Sequence, residues 1–158
     1  MKRLRGLGVL AAFLSIAATS CGPSEYSARF EFPGSSSVIR VDLTHMHPYL
    51  AEYKRHVILQ VPDRTEFSRE LFPDTGGYSR VNLYRLSANR YYLATFGNED
   101  YSLDIADGRF EVIRTREHVA PSSAEFVGAF DWRRKSGWSF VPQSERAEIP
   151  IGEMSIED

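Results

Sequence analysis

Residues 101–114 have the sequence Tyr-Ser-Leu-Asp-Ile-Ala-Asp-Gly-Arg-Phe-Glu-Val-Ile-Arg. Apolar and polar side chains alternate strictly over residues 101–105, which places each set on its own face of a β-strand. Asp107-Gly108 separates this run from a second one over residues 109–114. An Asp-Gly pair between two such runs is the strongest short-range signal for a β-hairpin. This stretch therefore predicts two antiparallel strands joined by a tight turn.

Strand-like runs of the same kind continue along the chain, separated by turns rich in Pro, Gly, Asp and Asn. Their spacing of roughly 8–12 residues predicts an all-β fold, a single antiparallel sandwich or barrel of about eight or nine short strands. At most one short helix is expected, over residues 48–55, where Pro48 fits a first helical position and Leu50 and Tyr53 share a face. The other runs cover residues 26–32, 38–43, 56–61, 67–72, 78–86, 90–96, 125–132 and 137–141.

The N-terminal segment has a different character. Basic residues occupy positions 2, 3 and 5, an apolar stretch follows over residues 7–18, and Ala-Thr-Ser at 18–20 precedes Cys21. Small residues before a cysteine resemble the lipobox of bacterial lipoproteins, although the resemblance covers only about 21 of the 158 residues. It implies a signal peptide over residues 1–20, cleavage before Cys21, and a palmitate-bearing lipid on that cysteine. Residues 21–25 would then be a lipidated tether.

Two alternatives to this interpretation are less consistent with the sequence. A transmembrane helix needs about 20 apolar residues, and the apolar stretch is shorter than that. A plain secretory signal would leave Cys21, the only cysteine in the chain, as a free thiol in an exported protein. Acylation explains the thiol. Gly22 stands where the resemblance places aspartate for inner-membrane retention, so it implies an outer-membrane location more than an inner-membrane one.

The charge of the mature chain excludes some partners. Loss of residues 1–20 leaves 16 basic and 21 acidic residues, a net charge of −5. This acidic balance argues against a nucleic-acid partner, which needs a basic surface, and gives no polybasic assistance to membrane binding. We therefore expect attachment to the membrane through the lipid, and an envelope protein as partner. The remaining 138 residues suit one β domain, over 26–141, followed by an acidic, frayed tail over 142–158.

His45-Met46-His47 is the strongest metal-binding candidate. In an extended segment His45 and His47 would point to one face and could share copper or zinc. The alternative is a loop with exposed histidines, because two ligands do not complete a site and the spacing of His56 and His118 connects neither of them to the pair.

Asp74-Thr75-Gly76 resembles the active-site tripeptide of aspartic proteases. Pro73 interrupts the preceding strand, however, and Gly77 replaces the small side chain of that family, so a simple turn explains the tripeptide. No other enzyme signature is present, and we assign no catalytic residue and no cofactor. The carboxylate pairs Glu99-Asp100 and Asp104-Asp107 lie in or beside turns, where solvated carboxylates are common.

Aromatic residues are the remaining candidates for a binding site. Trp132 and Trp138 flank the basic turn 133–136, which is either a solvated turn or an anion site. Tyr91 and Tyr92 are adjacent, so they face opposite sides of a strand. One aromatic residue of each pair is expected in the core and the other on the surface, where aromatic residues favour binding.

Taken together, these features favour a membrane-anchored lipoprotein that acts as a non-enzymatic binding or support module of the bacterial cell envelope. An inhibitor or immunity-like protein that blocks an envelope or extracellular enzyme is the first alternative. An enzyme of unrecognised type is the second, because short signatures can be absent from real enzymes. Residues 22–158 resemble no family that we recognise.

Overall fold

The computed structural model describes residues 26–76, 79–97, 99–115 and 120–151; Cys21 and the expected signal peptide and tether lie outside these ranges. The described residues form ten strands and no helix, and they contain no helical segment that could span a membrane. The strands are β1 Tyr26–Glu31, β2 Val38–His45, β3 Tyr53–Gln60, β4 Phe67–Asp74, β5 Val81–Arg85, β6 Arg90–Thr95, β7 Glu99–Asp104, β8 Arg109–Arg114, β9 Glu125–Arg133 and β10 Gly137–Pro142.

The strands form two antiparallel sheets in a sandwich-like arrangement. The smaller sheet has four strands in the order β1-β2-β3-β4, and the larger has six in the order β10-β9-β5-β6-β7-β8. The segment between β8 and β9 carries the chain back to the open side of β5, so that β9 pairs with β5. This architecture confirms the predicted all-β antiparallel fold, with ten strands where eight or nine were expected.

The β7–β8 hairpin forms where the Asp-Gly pair predicts it. Asp104 pairs with Arg109 at the end of the ladder, and Gly108 in the turn has a φ of +63°. Glycine adopts this left-handed conformation without the steric cost of a Cβ. The Asp104 carboxylate accepts hydrogen bonds from the backbone N–H groups of Ala106 (3.0 Å) and Asp107 (3.3 Å). The turn therefore satisfies its own backbone donors.

The main hydrophobic core lies between the two sheets. Ile39, Val41 and Leu43 alternate along β2 and are fully buried in one cluster with Leu83 of β5. The indole Nε1 of Trp138 donates a 2.9 Å hydrogen bond to the carbonyl oxygen of Val41, which links the two sheets directly. Burial of each such aliphatic side chain contributes about 1.5–3 kcal/mol, so the alternating pattern along β2 helps to hold the two sheets together.

Residues 142–151, the described part of the C-terminal tail, pack against the outer face of the larger sheet where a frayed tail was expected. Ile151 is buried, and the carbonyl oxygen of Ile149 accepts a 2.9 Å hydrogen bond from Asn82 Nδ2. The hydroxyl of Tyr84 donates a 2.7 Å hydrogen bond to Glu148. The described part of the tail is ordered because it covers an apolar patch that would otherwise face water. This outer cluster consists of Tyr84, Tyr92, Ala94, Phe126, Ala129 and Ile151.

The short helix expected over residues 48–55 does not form. Residues 46–50 make an irregular turn, the N–H of Met46 donates to the carbonyl oxygen of Glu52 (2.9 Å), and Tyr53 already pairs with His45. The prediction of at most one short helix is confirmed, and the candidate segment forms none because two shared helical positions are weaker than a strand paired on both sides, as β3 is with β2 and β4.

One end of the sandwich is defined by the start of β1, and we call it the tether end. Tyr26 pairs with Leu43 there, close to the loop between β2 and β3. The β9–β10 turn, residues 134–136, lies at the same end, because the ring of Trp132 just before it is 4.9 Å from that of Tyr26. The tether end thus combines the point where residues 21–25 join the domain with two of its turns.

Candidate interaction surface

An aromatic cluster fills the interior of the tether end. The Tyr26 ring makes edge-to-face contacts with His45, Tyr53 and Trp132 at centroid distances of 5.8, 6.0 and 4.9 Å. The Trp132 ring is 5.7 Å from Tyr53 and 5.8 Å from Trp138. All of these distances fall in the range of favourable aromatic pairs. Three residues singled out from the sequence, Trp132, Trp138 and His45, therefore meet in one place.

The two tryptophans belong to this aromatic cluster and differ in burial. Trp138 is buried, and its Nε1 is bonded to β2. Trp132 is partly buried, and its Nε1 lies 3.4 Å from the hydroxyl oxygen of Ser79, to which it donates. Trp138 is therefore the core member of this pair, and Trp132 is the partly exposed one.

The loop between β2 and β3 carries the exposed apolar groups of the tether end, and we call residues 46–50 the apolar loop. Its side chains of Met46, Tyr49 and Leu50 are 43%, 87% and 52% exposed. They make up three of the five large hydrophobic side chains that are exposed in the described ranges. A cluster of exposed apolar groups on an otherwise polar surface marks a site of interaction.

A basic turn lies at the same end of the sandwich as the apolar loop. Arg133 pairs with Glu145, whereas Arg134 and Lys135 are exposed and have no ion-pair partner within the described part of the chain. The turn comes directly after Trp132, whose ring contacts Tyr26. Two unneutralised cations therefore stand at the same end as the apolar loop.

Beneath the aromatic cluster, Arg55 is completely buried between the sheets. Its Nε donates to the carbonyl oxygen of Phe72 (2.8 Å), and its Nη1 donates to that of Ser79 (3.4 Å). Phe72 lies in the β-bulge of the β3–β4 ladder, where the register shifts between the pairs Tyr53–Asp74 and Arg55–Leu71. Burial lowers the pKa of Arg55 to about 10, against an opposing contribution from the nearby Asp74 carboxylate.

Asp74 is buried at the end of β4 and organises the turn that follows. Its carboxylate accepts a 3.1 Å hydrogen bond from the N–H of Gly76 and another from the hydroxyl of Ser79. The hydrogen bond from Gly76 is the contact typical of an Asx turn. These contacts support the interpretation of Asp-Thr-Gly as a turn.

Tyr91 and Tyr92 occupy opposite faces of β6, as expected, but both are buried. Tyr91 joins the main core, whereas Tyr92 lies in the outer cluster beneath the tail. The expectation that one of them is exposed is wrong because the larger sheet is covered on both faces. Burial raises the pKa of both hydroxyls, and for Tyr92 the hydrogen bond to Asp100 adds to the increase.

The two carboxylate pairs noted in the sequence have different environments. Asp100, expected to be solvated, is fully buried and accepts hydrogen bonds from Tyr92 Oη (2.7 Å) and the N–H of Thr95 (2.8 Å). Asp104 caps the β7–β8 turn. The contacts of Asp100 hold β6 and β7 together, so this carboxylate has a structural role.

His45 and His47 do not share a strand face, because His47 lies beyond the end of β2. The ring of His45 packs against Tyr53 at 4.6 Å, and Nδ1 of the exposed His47 accepts a hydrogen bond from the N–H of Tyr49 (3.3 Å). The described ranges contain no group of three or more His, Cys, Asp or Glu side chains arranged to hold a metal. His56 lies 3.9 Å from Glu70, away from both.

A groove of about 380 Å³ opens beside edge strand β4 and is lined by Glu70, Leu71, Phe72 and Glu99. The ring of Phe72 is 46% exposed. Arg69 lies 3.5 Å from Glu99 at this groove, which fixes the carboxylate there. The groove presents the exposed side chain of Phe72 together with the carboxylates of Glu70 and of Arg69-paired Glu99, an arrangement suited to a partner with apolar groups and hydrogen-bond donors.

Sequence analysis missed the apolar loop and Phe72. The predicted helix incorporated Tyr49 and Leu50, and Phe72 was counted as an ordinary strand residue. An apolar residue inside a short connection between two strands is the signal that identifies the loop, because such connections are usually polar.

No protein-family model, curated protein or solved structure matches this chain. Its function must therefore be inferred from its own residues. Among these, the tether end is the surface that combines exposed apolar side chains, unneutralised cations and the attachment point of the N-terminal segment.

Proposed function

We propose that this protein is a lipid-anchored, non-enzymatic binding module of the bacterial cell envelope, attached to the outer membrane through acyl groups on Cys21. The domain holds an envelope protein near the membrane surface. The groove beside β4, with its exposed Phe72 between Glu70 and Glu99, is the surface that we assign to this partner.

One observation carries the proposal: Tyr26, the first residue of β1, packs directly into the aromatic cluster of the tether end. Only residues 22–25 separate it from Cys21, so five residue steps join the lipid-bearing residue to β1. Five extended residues reach less than about 20 Å at roughly 3.3–3.6 Å per residue. With Cys21 acylated, the tether end would stay close to the headgroups, and the groove would be within reach of membrane-proximal partners.

The anchor is tested by membrane fractionation of cells that express Cys21→Ala. We expect wild-type protein in the membrane fraction and the variant in the soluble envelope fraction or unprocessed. Wild-type protein that incorporates no labelled palmitate would contradict the anchor.

The partner surface is tested by placing a photo-crosslinking residue at position 72, with position 88 in the β5–β6 turn as the matched control. We expect a specific adduct from position 72 and none from position 88, because Phe72 lines the groove and Ala88 is exposed at the opposite end. An enzyme in that adduct, with its activity suppressed by the purified domain, would support the inhibitor alternative. Identical adducts from both positions would contradict the groove assignment.

A further inference from the structure

We propose that the tether end is itself a membrane-binding surface. Met46, Tyr49 and Leu50 of the apolar loop enter the interfacial region of the bilayer, while Arg134 and Lys135 contact the phosphates of anionic lipids. The orientation of this surface rests on the proposed lipid anchor, and its affinity for lipid does not. The domain would then have two membrane contacts, the acyl groups and this surface.

Insertion of the apolar loop into the bilayer is inferred from the exposure of its side chains. Tyr49 is 87% exposed, and Leu50 and Met46 beside it are about half exposed. Transfer of such groups from water to the acyl boundary is favourable. Tyrosine is enriched at membrane interfaces because its ring is apolar and its hydroxyl remains hydrated. The described structure gives these three side chains little burial of their own, so contact with lipid would provide it.

The contact with anionic lipids is inferred from the position of two basic side chains. A net charge of −5 for residues 21–158 argues against attraction to an anionic membrane if charge were uniform. Electrostatic attraction at a membrane surface falls off within a Debye length of about 10 Å, however, so the residues nearest the lipid decide its sign. Arg134 and Lys135 lie at the tether end without ion-pair partners in the described ranges, whereas Glu52 is the one acidic residue of the β2–β3 connection.

The choice of a bilayer over a protein as the occupant follows from the tether. Residues 21–25 reach less than about 20 Å, and a folded domain of 100 residues has a radius of gyration near 13 Å and a larger diameter than that reach. A folded partner cannot fit between the tether end and the headgroups while the tether is attached. The bilayer is therefore the surface that lies within reach of the apolar loop.

The insertion test uses residues 21–158 coupled through the thiol of Cys21 to a maleimide lipid in vesicles of phosphatidylethanolamine and phosphatidylglycerol. This coupling does not depend on natural acylation. Brominated phospholipids quench tryptophan emission only at short range. We expect them to quench most of the emission gained in Tyr49→Trp and little of that gained in Ala88→Trp, the matched control at the opposite end. Equal quenching of the two variants, or quenching of neither, overturns the proposal.

The charge test uses residues 22–158 without any lipid and measures flotation with vesicles. We expect Arg134→Gln/Lys135→Gln to lower partitioning onto phosphatidylglycerol vesicles by about fivefold per basic residue, and to leave phosphatidylcholine binding unchanged. Arg64→Gln/Arg90→Gln makes the same change in net charge at exposed positions of the opposite end and should leave partitioning as it is. Equal losses in the two pairs would show that net charge alone acts, and would overturn the proposal.

These tests separate the two proposals. If wild-type protein incorporates no labelled palmitate while Tyr49→Trp is quenched selectively, the anchor is wrong and the membrane surface stands. If Cys21→Ala is released while neither added tryptophan is quenched, the anchor stands and the tether end is not a lipid surface.

Discussion

The Nη2 atom of Arg55 donates a hydrogen bond of 3.0 Å to the carbonyl oxygen of Phe96. Arg55 belongs to β3 of the smaller sheet, and Phe96 follows β6 of the larger one, so a single buried guanidinium joins the two sheets. It does so at the tether end, directly below the residues that hold Tyr26. The surface that we assign to the membrane is therefore built on a rigid base.

We expect replacement of this guanidinium to destabilise the domain strongly. Arg55→Ala leaves the carbonyl oxygens of Phe72, Ser79 and Phe96 without this donor and takes a cation away from buried Asp74. We expect a loss of about 3–5 kcal/mol in the free energy of unfolding, measured by urea denaturation. Lys54→Ala, at the exposed neighbour, should change it by less than about 0.5 kcal/mol. A loss below about 1 kcal/mol in Arg55→Ala would contradict the role given to Arg55.

Gly128 allows β9 and β10 to approach each other. A Cβ at this position would lie 2.4 Å from the carbonyl oxygen of Val141 and 2.6 Å from the Phe140 ring. We expect Gly128→Ala to cost about 1–3 kcal/mol by overpacking, measured by thermal or chemical denaturation. Gly76→Ala is the matched control, because no atom lies within 4 Å of its added Cβ. Equal stability of the two variants would show that the β9–β10 ladder is looser than described.

If the tail is packed as described, a substitution in it should lower the free energy of unfolding; a frayed tail would show no such effect. Ile151 is buried in the outer cluster, so Ile151→Ala should lower the free energy of unfolding by about 2 kcal/mol. Ala147→Ser, in the exposed part of the tail, should be nearly neutral. Chemical denaturation of both variants checks this. Unchanged stability in Ile151→Ala would favour a frayed tail after all.

Stability should fall in alkaline solution. Burial raises the pKa of Tyr84 and Tyr92, and raises that of Tyr101 to about 12, whereas unfolded tyrosine titrates near 10. Below about pH 10 these hydroxyls are protonated in both states, and their contribution to stability is complete. Above it the unfolded state loses protons first, so the free energy of unfolding falls by up to about 1.4 kcal/mol per pH unit for each tyrosine.

Arg55 has the opposite effect on the free energy of unfolding. Because its pKa is lowered to about 10, the folded state loses this proton before the unfolded state does as the pH rises. Three tyrosines outweigh one arginine, so the net change is a loss. Urea midpoints between about pH 9 and pH 11 measure it, and Tyr92→Phe should reduce the slope. A midpoint that stays constant over this range, or a slope unaffected by Tyr92→Phe, would contradict the prediction.

Local patterns predicted the strands because the information for them is local. Asp107-Gly108 supplies a left-handed turn residue between two alternating runs, and the observed β7 and β8 lie on either side of it. The same alternation placed Ile39, Val41 and Leu43 on one face of β2, where the structure buries them.

The features that the sequence did not predict depend on contacts between distant parts of the chain. Tyr92 is buried by residues of the outer cluster that include Ile151, which no periodicity near residue 92 reveals. Arg55 lies in the polar sequence Lys54-Arg55-His56, and the carbonyl groups that bind its guanidinium come from Phe72, Ser79 and Phe96, which are distant in the chain. The tether end is likewise assembled from β1, β2 and β9, so its composition could not be read from any one segment.

The attachment of the tether to β1 also determines how the domain would bear mechanical load. β1 runs from the tether end toward the opposite end and is paired with β2 from Tyr26–Leu43 to Glu31–Val38. A pull from a lipid on Cys21 would act along the axis of this strand. All six pairs of the ladder would then be sheared together, instead of opening one after another as in a strand peeled sideways. Tension between the membrane and a bound partner would therefore be resisted by the whole length of β1.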